Sequence, residues 1–166
     1  KHYFCNAIND KGKSETKTCQ ISVQYGVKIS LPSPAPTVKE GEELRVLCDT
    51  DARPAVETVV WSKKDNTSFT QPYAELNMSR AALEDAGTYT CQATNRLTPT
   101  GKHPYTHTEK ADFDLKVLYK ARWQTYALQK AAGQKGQSAK LICAVHAYPT
   151  LSFVWRSGGS ELSPGF

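Results

Sequence analysis

Hydrophobic and polar residues alternate along several short stretches of this chain, which is the pattern of β-strands with one buried face. The alternation is clear at Leu44, Val46 and Cys48, and it returns at Tyr89 and Cys91. Turn-forming residues such as Gly, Pro, Asn and Asp lie between these stretches. The pattern therefore predicts an all-β chain in which short strands follow one another.

The middle of the chain has enough predicted strands for one complete domain. Residues 27–31 alternate, and three prolines in residues 32–36 then break the ladder, as in an edge strand that changes sheets. Residues 49–57 are predicted to form a loop. Because the stretch between Trp61 and Leu76 is short, it has room for one or two short strands. The prediction is therefore seven or eight strands.

Two cysteines and a tryptophan form a spaced motif across these strands. Trp61 lies in the strand-like run that follows Cys48, and an Asp-x-Gly-x-Tyr-x-Cys run ends at Cys91. Asp85 is predicted to hold the turn of this run by hydrogen bonds rather than to act as an acid or base. The motif resembles the immunoglobulin superfamily, in which a buried Trp packs on an inter-sheet disulfide near a tyrosine corner. The resemblance implies an all-β, immunoglobulin-like β-sandwich, a Cys48–Cys91 disulfide and a core signature of Trp61, Leu83, Asp85, Gly87, Tyr89 and, later in the chain, Trp155.

Parts of the same motif recur on both sides of this domain. Residues 3–12 resemble the last hairpin of I-set immunoglobulin domains. Residues 136–143 repeat the layout of residues 41–48, and Trp155 follows Cys143 at nearly the interval that separates Trp61 from Cys48, without a second Asp-x-Gly-x-Tyr-x-Cys run. We therefore expect a piece of a longer array with short, semi-rigid linkers, organised as one complete domain (26–118) between two partial ones (1–25 and 119–166).

The five cysteines, at positions 5, 19, 48, 91 and 143, include no Cys-x-x-Cys pair, which disfavours a zinc or redox site. Their wide spacing favours disulfides and an oxidising compartment. A turn centred between Asp10 and Lys11 places residue 16 opposite Cys5, so a Cys5–Cys19 bridge is disfavoured. For Cys19 a buried free thiol is favoured over a disulfide to a part of the protein beyond this sequence. The pairing of Cys5 and Cys143 stays open.

The charge pattern indicates a solvated surface without a strong polyanion site. The net charge is +5 and the isoelectric point is about 8.9, but the lysines are scattered. Nucleic-acid binding is therefore not predicted, while a weak glycosaminoglycan contact stays open. Asn66 and Asn77 each begin an Asn-x-Ser triplet and are predicted glycosylation sites. No apolar run approaches the ~20 residues of a membrane helix, so membrane attachment is expected only through a segment outside this chain.

A long connection follows the second motif cysteine. Residues 96–110 precede the inward alternation that resumes at Ala111. Loops at the ends of sandwiches commonly carry binding residues, so this connection is a candidate contact surface, and a tolerated surface insertion is the alternative. Because His103 and His107 have no third ligand nearby, no metal site is predicted. The binding-loop candidates are Arg96, His103, Tyr105 and His107.

The sequence contains no motif for catalysis or cofactor binding. It has no phosphate-binding glycine loop, nucleophile elbow or paired carboxylates, so no enzyme activity, catalytic residue or cofactor is predicted. The resemblance to tandem I-set-like domains, of the nephrin-like or echinoid-like type, implies a cell-surface adhesion molecule. Such domains bind proteins on another cell or further copies of the same molecule, and many weak contacts add by avidity.

Two other functions stay open. One is the ligand-binding ectodomain of a receptor tyrosine kinase or phosphatase, and the other is a secreted matrix or immune-recognition protein. An intracellular, muscle-type array is disfavoured by the cysteine spacing and by the two glycosylation triplets.

Overall fold

The structure is a computed structural model that describes residues 1–124, 133–137 and 141–162. These residues form sixteen β-strands and one short 3₁₀ helix, which confirms the all-β prediction. Contacts divide the chain into two compact units, each made of three stretches. Unit 1 contains Lys1–Ser33, Val46–Leu76 and Thr88–Phe113, and unit 2 contains Pro34–Arg45, Asn77–Gly87 and Asp114–Phe166.

The start of the chain forms two nested antiparallel hairpins, with β1 (His2–Cys5) paired to β4 (Lys17–Gln20) and β2 (Ile8–Asn9) paired to β3 (Gly12–Lys13). At the tip, Oδ1 of Asn9 accepts hydrogen bonds from the backbone N–H groups of Lys11 and Gly12, at 2.9 and 3.1 Å. Gly12 has a φ of 140°, which a residue without a Cβ adopts readily. The turn predicted at residues 9–12 is therefore confirmed.

The register of these hairpins corrects the predicted surroundings of the first two cysteines. Cys5 lies opposite Lys17, not opposite residue 16, and Cys19 lies opposite Tyr3. Two residues connect β1 to β2 while three connect β3 to β4, so the returning chain carries one extra residue. Both thiols are free and exposed, so within the described residues Cys19 does not have the buried setting that was predicted.

Nine strands follow in the middle of the chain. They are β5 (Tyr25–Ser30), β6 (Thr37–Lys39), β7 (Leu44–Leu47), β8 (Asp49–Arg53), β9 (Thr58–Lys63), β10 (Asn66–Gln71), β11 (Glu75–Met78), β12 (Gly87–Leu97) and β13 (Tyr105–Trp123). Because Cys48 alone separates β7 from β8, the nine strands correspond to eight runs of chain, in the predicted range.

These strands form one large sheet and two smaller ones. The large sheet has the order β10-β9-β12-β13 and continues to β14 (Val145–Tyr148), with β6 also paired to β13. The smaller sheets are β5-β8 and β7-β11. Strand β5 pairs antiparallel with β8, whereas β6 pairs parallel with β13, so the chain changes sheets across residues 31–36. This confirms the prediction from the prolines, which cannot donate a ladder hydrogen bond.

Residues 49–53 form a strand, so the loop predicted for residues 49–57 is wrong over its first part. Asp49 lies opposite Ser30 and Asp51 lies opposite Lys28 in the β5-β8 sheet. No side chain of β8 is buried, so the strand has no apolar alternation to reveal it. Backbone pairing with β5 determines its conformation.

The core of unit 1 surrounds a disulfide and three aromatic rings. Cys48 and Cys91 are bonded, with their Cα atoms 6.4 Å apart and a sequence separation of 43. The ring of Phe113 meets Trp61 edge-on and stacks on Tyr89, with both pairs of centroids 5.7 Å apart. Trp61 and Tyr89 are fully buried. The disulfide implied by the sequence motif is therefore present, and the Trp and Tyr of the motif are both in the core.

The turn before β12 lies in unit 2 and begins with a 3₁₀ helix, Leu83–Asp85. Oδ2 of Asp85 accepts a hydrogen bond of 2.7 Å from the backbone N–H of Ala82, as predicted for a turn-holding aspartate. Gly87 has a φ of 137°, a conformation that suits glycine. Leu83 is half-buried, while Ala81 is fully enclosed.

Strand β13 continues across residue 118, where the sequence predicts the end of the complete domain. Its residues Lys116–Leu118 pair with β6, and Tyr119–Trp123 pair with β14. Two further strands, β15 (Trp155–Ser157) and β16 (Ser160–Leu162), form a hairpin in which Trp155 is 40% exposed rather than in a core. Residues 138–140 of the predicted repeat, and 163–166, lie outside the described residues. Within the described part of the chain, no helix is long and apolar enough to cross a membrane.

Candidate functional site

The outer surface of β9 and β12 has no charged side chain at its centre. Trp61, Cys91 and Ala93 point into the core, so alternation directs the residues between them outward. Thr70 of β10 adds another outward side chain beside Ser62. We call this set the outer face; its members are the cross-strand pairs Thr58–Thr94, Val60–Gln92 and Ser62–Thr90, together with Thr70.

Ionic groups lie at the margins of the outer face. Lys64, in the turn after β9, forms an exposed ion pair with Asp112, with 3.9 Å between Nζ and Oδ2. Arg96 lies two residues beyond Thr94 on the same side of β12 and is exposed. Between these margins, the hydroxyls of Thr58 and Thr94 are hydrogen-bonded to each other. An uncharged centre with a charged rim is the usual anatomy of a protein-binding surface.

The connection between β12 and β13 is a long hairpin rather than a continuous loop. Strand β12 ends at Leu97 and β13 begins at Tyr105, so residues 98–104 alone form the loop. Residues 96–97 and 105–110 of the long connection therefore lie in the two strands of an extended hairpin. Charged and polar residues at 106–110 hide the alternation, although Tyr and Thr at 105, 106 and 108 favour a strand.

The structure distributes the four binding-loop candidates over different surfaces. Arg96 adjoins the outer face, and His103 is exposed in the loop at the tip. Tyr105 is 53% exposed at the start of β13. His107 is half-buried on the same side of β13 as Tyr105, and its ring lies against the backbone of Gly26. Their roles in binding stay predictions.

Comparison with known proteins gives the family of this sandwich. Residues 28–95 match the family described as "Immunoglobulin domain". Over 174 residues the chain is 29% identical to the B-cell receptor CD22 of Mus musculus, in an alignment that covers 98% of this chain and 19% of that protein. Residues 28–95 of the chain are therefore an immunoglobulin domain.

Two further similarities show how widely this immunoglobulin fold is used. The Muscle M-line assembly protein unc-89 of Caenorhabditis elegans is 27% identical over 184 residues, covering 98% of this chain and 2% of that protein. The solved structure of DIP-gamma IG1+IG2 has a TM-score of 0.55 and 20% identity, covering 72% of this chain and 60% of that one. The chain therefore spans a fifth or less of these two relatives, CD22 and unc-89.

Asn95, a buried polar residue of the immunoglobulin domain, was missed by the sequence analysis. Its Oδ1 accepts a hydrogen bond from the backbone N–H of Val27, and its Nδ2 donates to the carbonyl oxygens of Tyr25 and Pro54, all at 3.0 Å. A buried amide needs such partners because its desolvation is otherwise costly. The signal in the sequence is position: Asn95 shares the inward side of β12 with Cys91 and Ala93.

Lys63 is a second buried residue that the sequence analysis did not single out. Its side chain is almost fully enclosed opposite Tyr89, and Nζ lies 5.7 Å from the centre of that ring. Nζ also lies 3.7 Å from Oδ1 of Asp65. A carboxylate and a ring face are both favourable neighbours for a buried ammonium group.

An exposed tyrosine near the start of the immunoglobulin domain has an altered titration. Tyr25 Oη donates a hydrogen bond of 2.7 Å to Oδ1 of Asp51. This hydrogen bond to the carboxylate raises the pKa of Tyr25, because ionisation of the phenol removes the donor.

Both predicted glycosylation sites are accessible. Asn66 is exposed at the start of β10, and its Oδ1 accepts a hydrogen bond of 3.1 Å from the N–H of Ser68. Asn77 is exposed on β11, a strand that belongs to a different sheet from the outer face. Their modification stays a prediction.

Proposed function

We propose that the chain is a non-catalytic recognition module of a cell-surface or secreted protein and binds another protein through the outer face. The outer face itself carries this proposal, because it offers seven uncharged side chains on a hydrogen-bonded sheet. Ser, Thr and Gln side chains supply both donors and acceptors. A sheet holds them at fixed spacing, so little conformational freedom is lost when a partner binds.

The absence of charge at the centre of the outer face limits the kind of partner. Interfaces between proteins are depleted of charged residues at their core and polar at their rim. A nucleic acid or glycosaminoglycan requires clustered cations, and the outer face has none. We therefore propose a protein partner with an uncharged, hydrogen-bonding surface, and an affinity that changes little with salt.

A setting outside the cell is part of the proposal. The Cys48–Cys91 bond supports it, because disulfides persist in oxidising compartments. The similarity to a protein named as a B-cell receptor supports it too, whereas a protein named for M-line assembly represents the competing setting. Asn66 and Asn77, the exposed asparagines of the two glycosylation triplets, favour the setting outside the cell. The division into one complete domain (26–118) and two partial ones also belongs to this proposal.

A charge placed at the centre of the outer face tests the proposal. We expect Gln92→Arg to lower binding about tenfold or more, because an unpaired charge would be buried against the partner. Clustering of chain-coated beads measures self-binding, and staining of cells with a multimer of the chain measures binding to other proteins. Gln20→Arg, exposed on β4, is the matched control. Equal binding by wild type and Gln92→Arg, or equal losses in both variants, would count against the outer face.

A further inference from the structure

The side of the β12–β13 hairpin opposite to Arg96 contacts a segment at the start of the immunoglobulin domain. Gln24 donates from Nε2 to Oγ1 of Thr98 at 3.3 Å, and the backbone N–H of Thr98 donates to Oε1 of Gln24 at 2.7 Å. These reciprocal hydrogen bonds join residues 74 positions apart. The first residue beyond β12 is therefore tied to the chain just before β5.

Two residues later, glycine permits a closer approach than any other residue. A Cβ built on Gly26 lies 2.5 Å from Cγ and Nδ1 of His107. Carbon atoms in contact are ordinarily about 3.5–4.0 Å apart, so a side chain at residue 26 and the His107 ring cannot occupy this space together. Nδ1 of His107 is enclosed and has no hydrogen-bond partner among the described residues. The ring therefore acts here as a packing surface for the backbone.

Asn95 of strand β12 contacts the same segment of chain, residues 24–27. It hydrogen-bonds the carbonyl oxygen of Tyr25 and the N–H of Val27, on either side of Gly26. Residues 24–27 are thus contacted by three residues: Thr98 just beyond β12, His107 of β13 and Asn95 of β12. We call these holding residues, Asn95, Thr98 and His107, the clamp.

We propose that the clamp fixes the segment 24–27 and with it the orientation of residues 1–23 relative to strands β9 and β12. All of these residues belong to unit 1. The extra length of the hairpin then has a structural purpose, because residues 98 and 107 lie in the part that extends past Asn95. This role is independent of the proposed binding function, which uses the outward side of the same strands.

The experiment is a double-mutant cycle on the full chain, read by NMR. In the wild type we expect residual dipolar couplings of β1, β4, β9 and β12 to fit one alignment tensor, and the Thr98 amide to exchange slowly. In Gly26→Ala, β1 and β4 should fit a different alignment tensor from β9 and β12. Exchange of the Thr98 amide should become roughly tenfold faster, as expected for a lost hydrogen bond. Adding His107→Ala removes the ring that the new methyl group meets, so the double variant should return toward wild type.

Two further variants keep the result interpretable if Gly26→Ala does not fold. Gln24→Ala removes both hydrogen bonds to Thr98 without a clash, and it should also separate the tensors and speed exchange at Thr98. Gln20→Ala, exposed on β4, is the matched control and should change neither. Separate tensors already in the wild type, or failure of His107→Ala to rescue Gly26→Ala, would overturn the clamp. Binding through the outer face is measured separately, so either proposal can fail alone.

Discussion

The side-chain oxygen of Asn95 accepts a hydrogen bond from the backbone N–H of Val27, which lies 68 residues earlier in the chain. The same side chain satisfies two carbonyl groups, so its loss leaves several buried or half-buried backbone groups without a partner. We expect Asn95→Leu to lower the free energy of unfolding by about 3 kcal/mol, measured by urea denaturation. Gln92→Ala, on the outward side of the same strand, should change it by less than about 0.5 kcal/mol. Similar losses in the two variants would contradict this role.

Phe113 is the ring that connects Trp61 to Tyr89 in the core. Phe113→Ala should lower the free energy of unfolding by about 3–5 kcal/mol, because it removes apolar burial and leaves a cavity between two rings. Phe113→Leu should cost less because it fills part of the space. Phe4→Ala is the control, since Phe4 is 71% exposed and should tolerate the change. A small loss for Phe113→Ala would mean that the rings close over the gap.

The Cys48–Cys91 bond joins cysteines with a sequence separation of 43. In the chain-entropy model, the double variant Cys48→Ala/Cys91→Ala should lose about 4 kcal/mol of unfolding free energy, because the open chain has more conformations when unfolded. Replacing Cys5 and Cys19, both exposed and unbonded, should leave stability nearly unchanged. Alkylation of unreduced protein followed by mass spectrometry checks the pairing. Modified Cys48 and Cys91 in natively purified protein would argue against an oxidising compartment.

The hydrogen bond from Tyr25 to the Asp51 carboxylate predicts a pH effect at the alkaline end. Because the pKa of Tyr25 is raised in the folded chain, this group contributes stability below its ordinary pKa of about 10 and loses it as pH rises through the folded value. Absorbance titration of the tyrosines should show a late-titrating group that disappears in Tyr25→Phe. Asp51→Asn should return that group to earlier titration. An Asp51→Asn variant whose titration curve matches that of the wild type would refute the assignment.

The inward residues of the immunoglobulin domain were predictable because alternation and motif spacing depend on local sequence. Trp61, Tyr89 and Cys91 are fully buried as predicted, and Asp85 holds its turn. Strand β8 was not predictable, because its residues show no apolar alternation and its conformation depends on pairing with β5. A strand defined by a distant partner leaves little trace in its own sequence.

The candidate site was predictable only in part, for a similar reason. The long connection at residues 96–110 was predicted as one candidate surface, and its two sides were not distinguished. His107 and Arg96 were predicted as binding residues of one loop, but in the structure they lie on different sides of the hairpin, and the His107 ring packs on Gly26. The outer face was missed because Ser, Thr and Gln at alternating positions resemble any solvent-facing strand surface until the pairing of β9 with β12 brings them together.

Strand β13 also determines how the chain would respond to tension. It is a single extended strand of 19 residues, paired in turn with β6 and β14 near the boundary expected from the sequence. A pulling force applied along it is carried by one extended backbone, which has little further length to gain. The ladder hydrogen bonds lie across that direction, so neighbouring bonds are sheared together instead of opening one after another. If adhesion loads this chain, β13 carries the load from its β6-paired stretch to its β14-paired stretch.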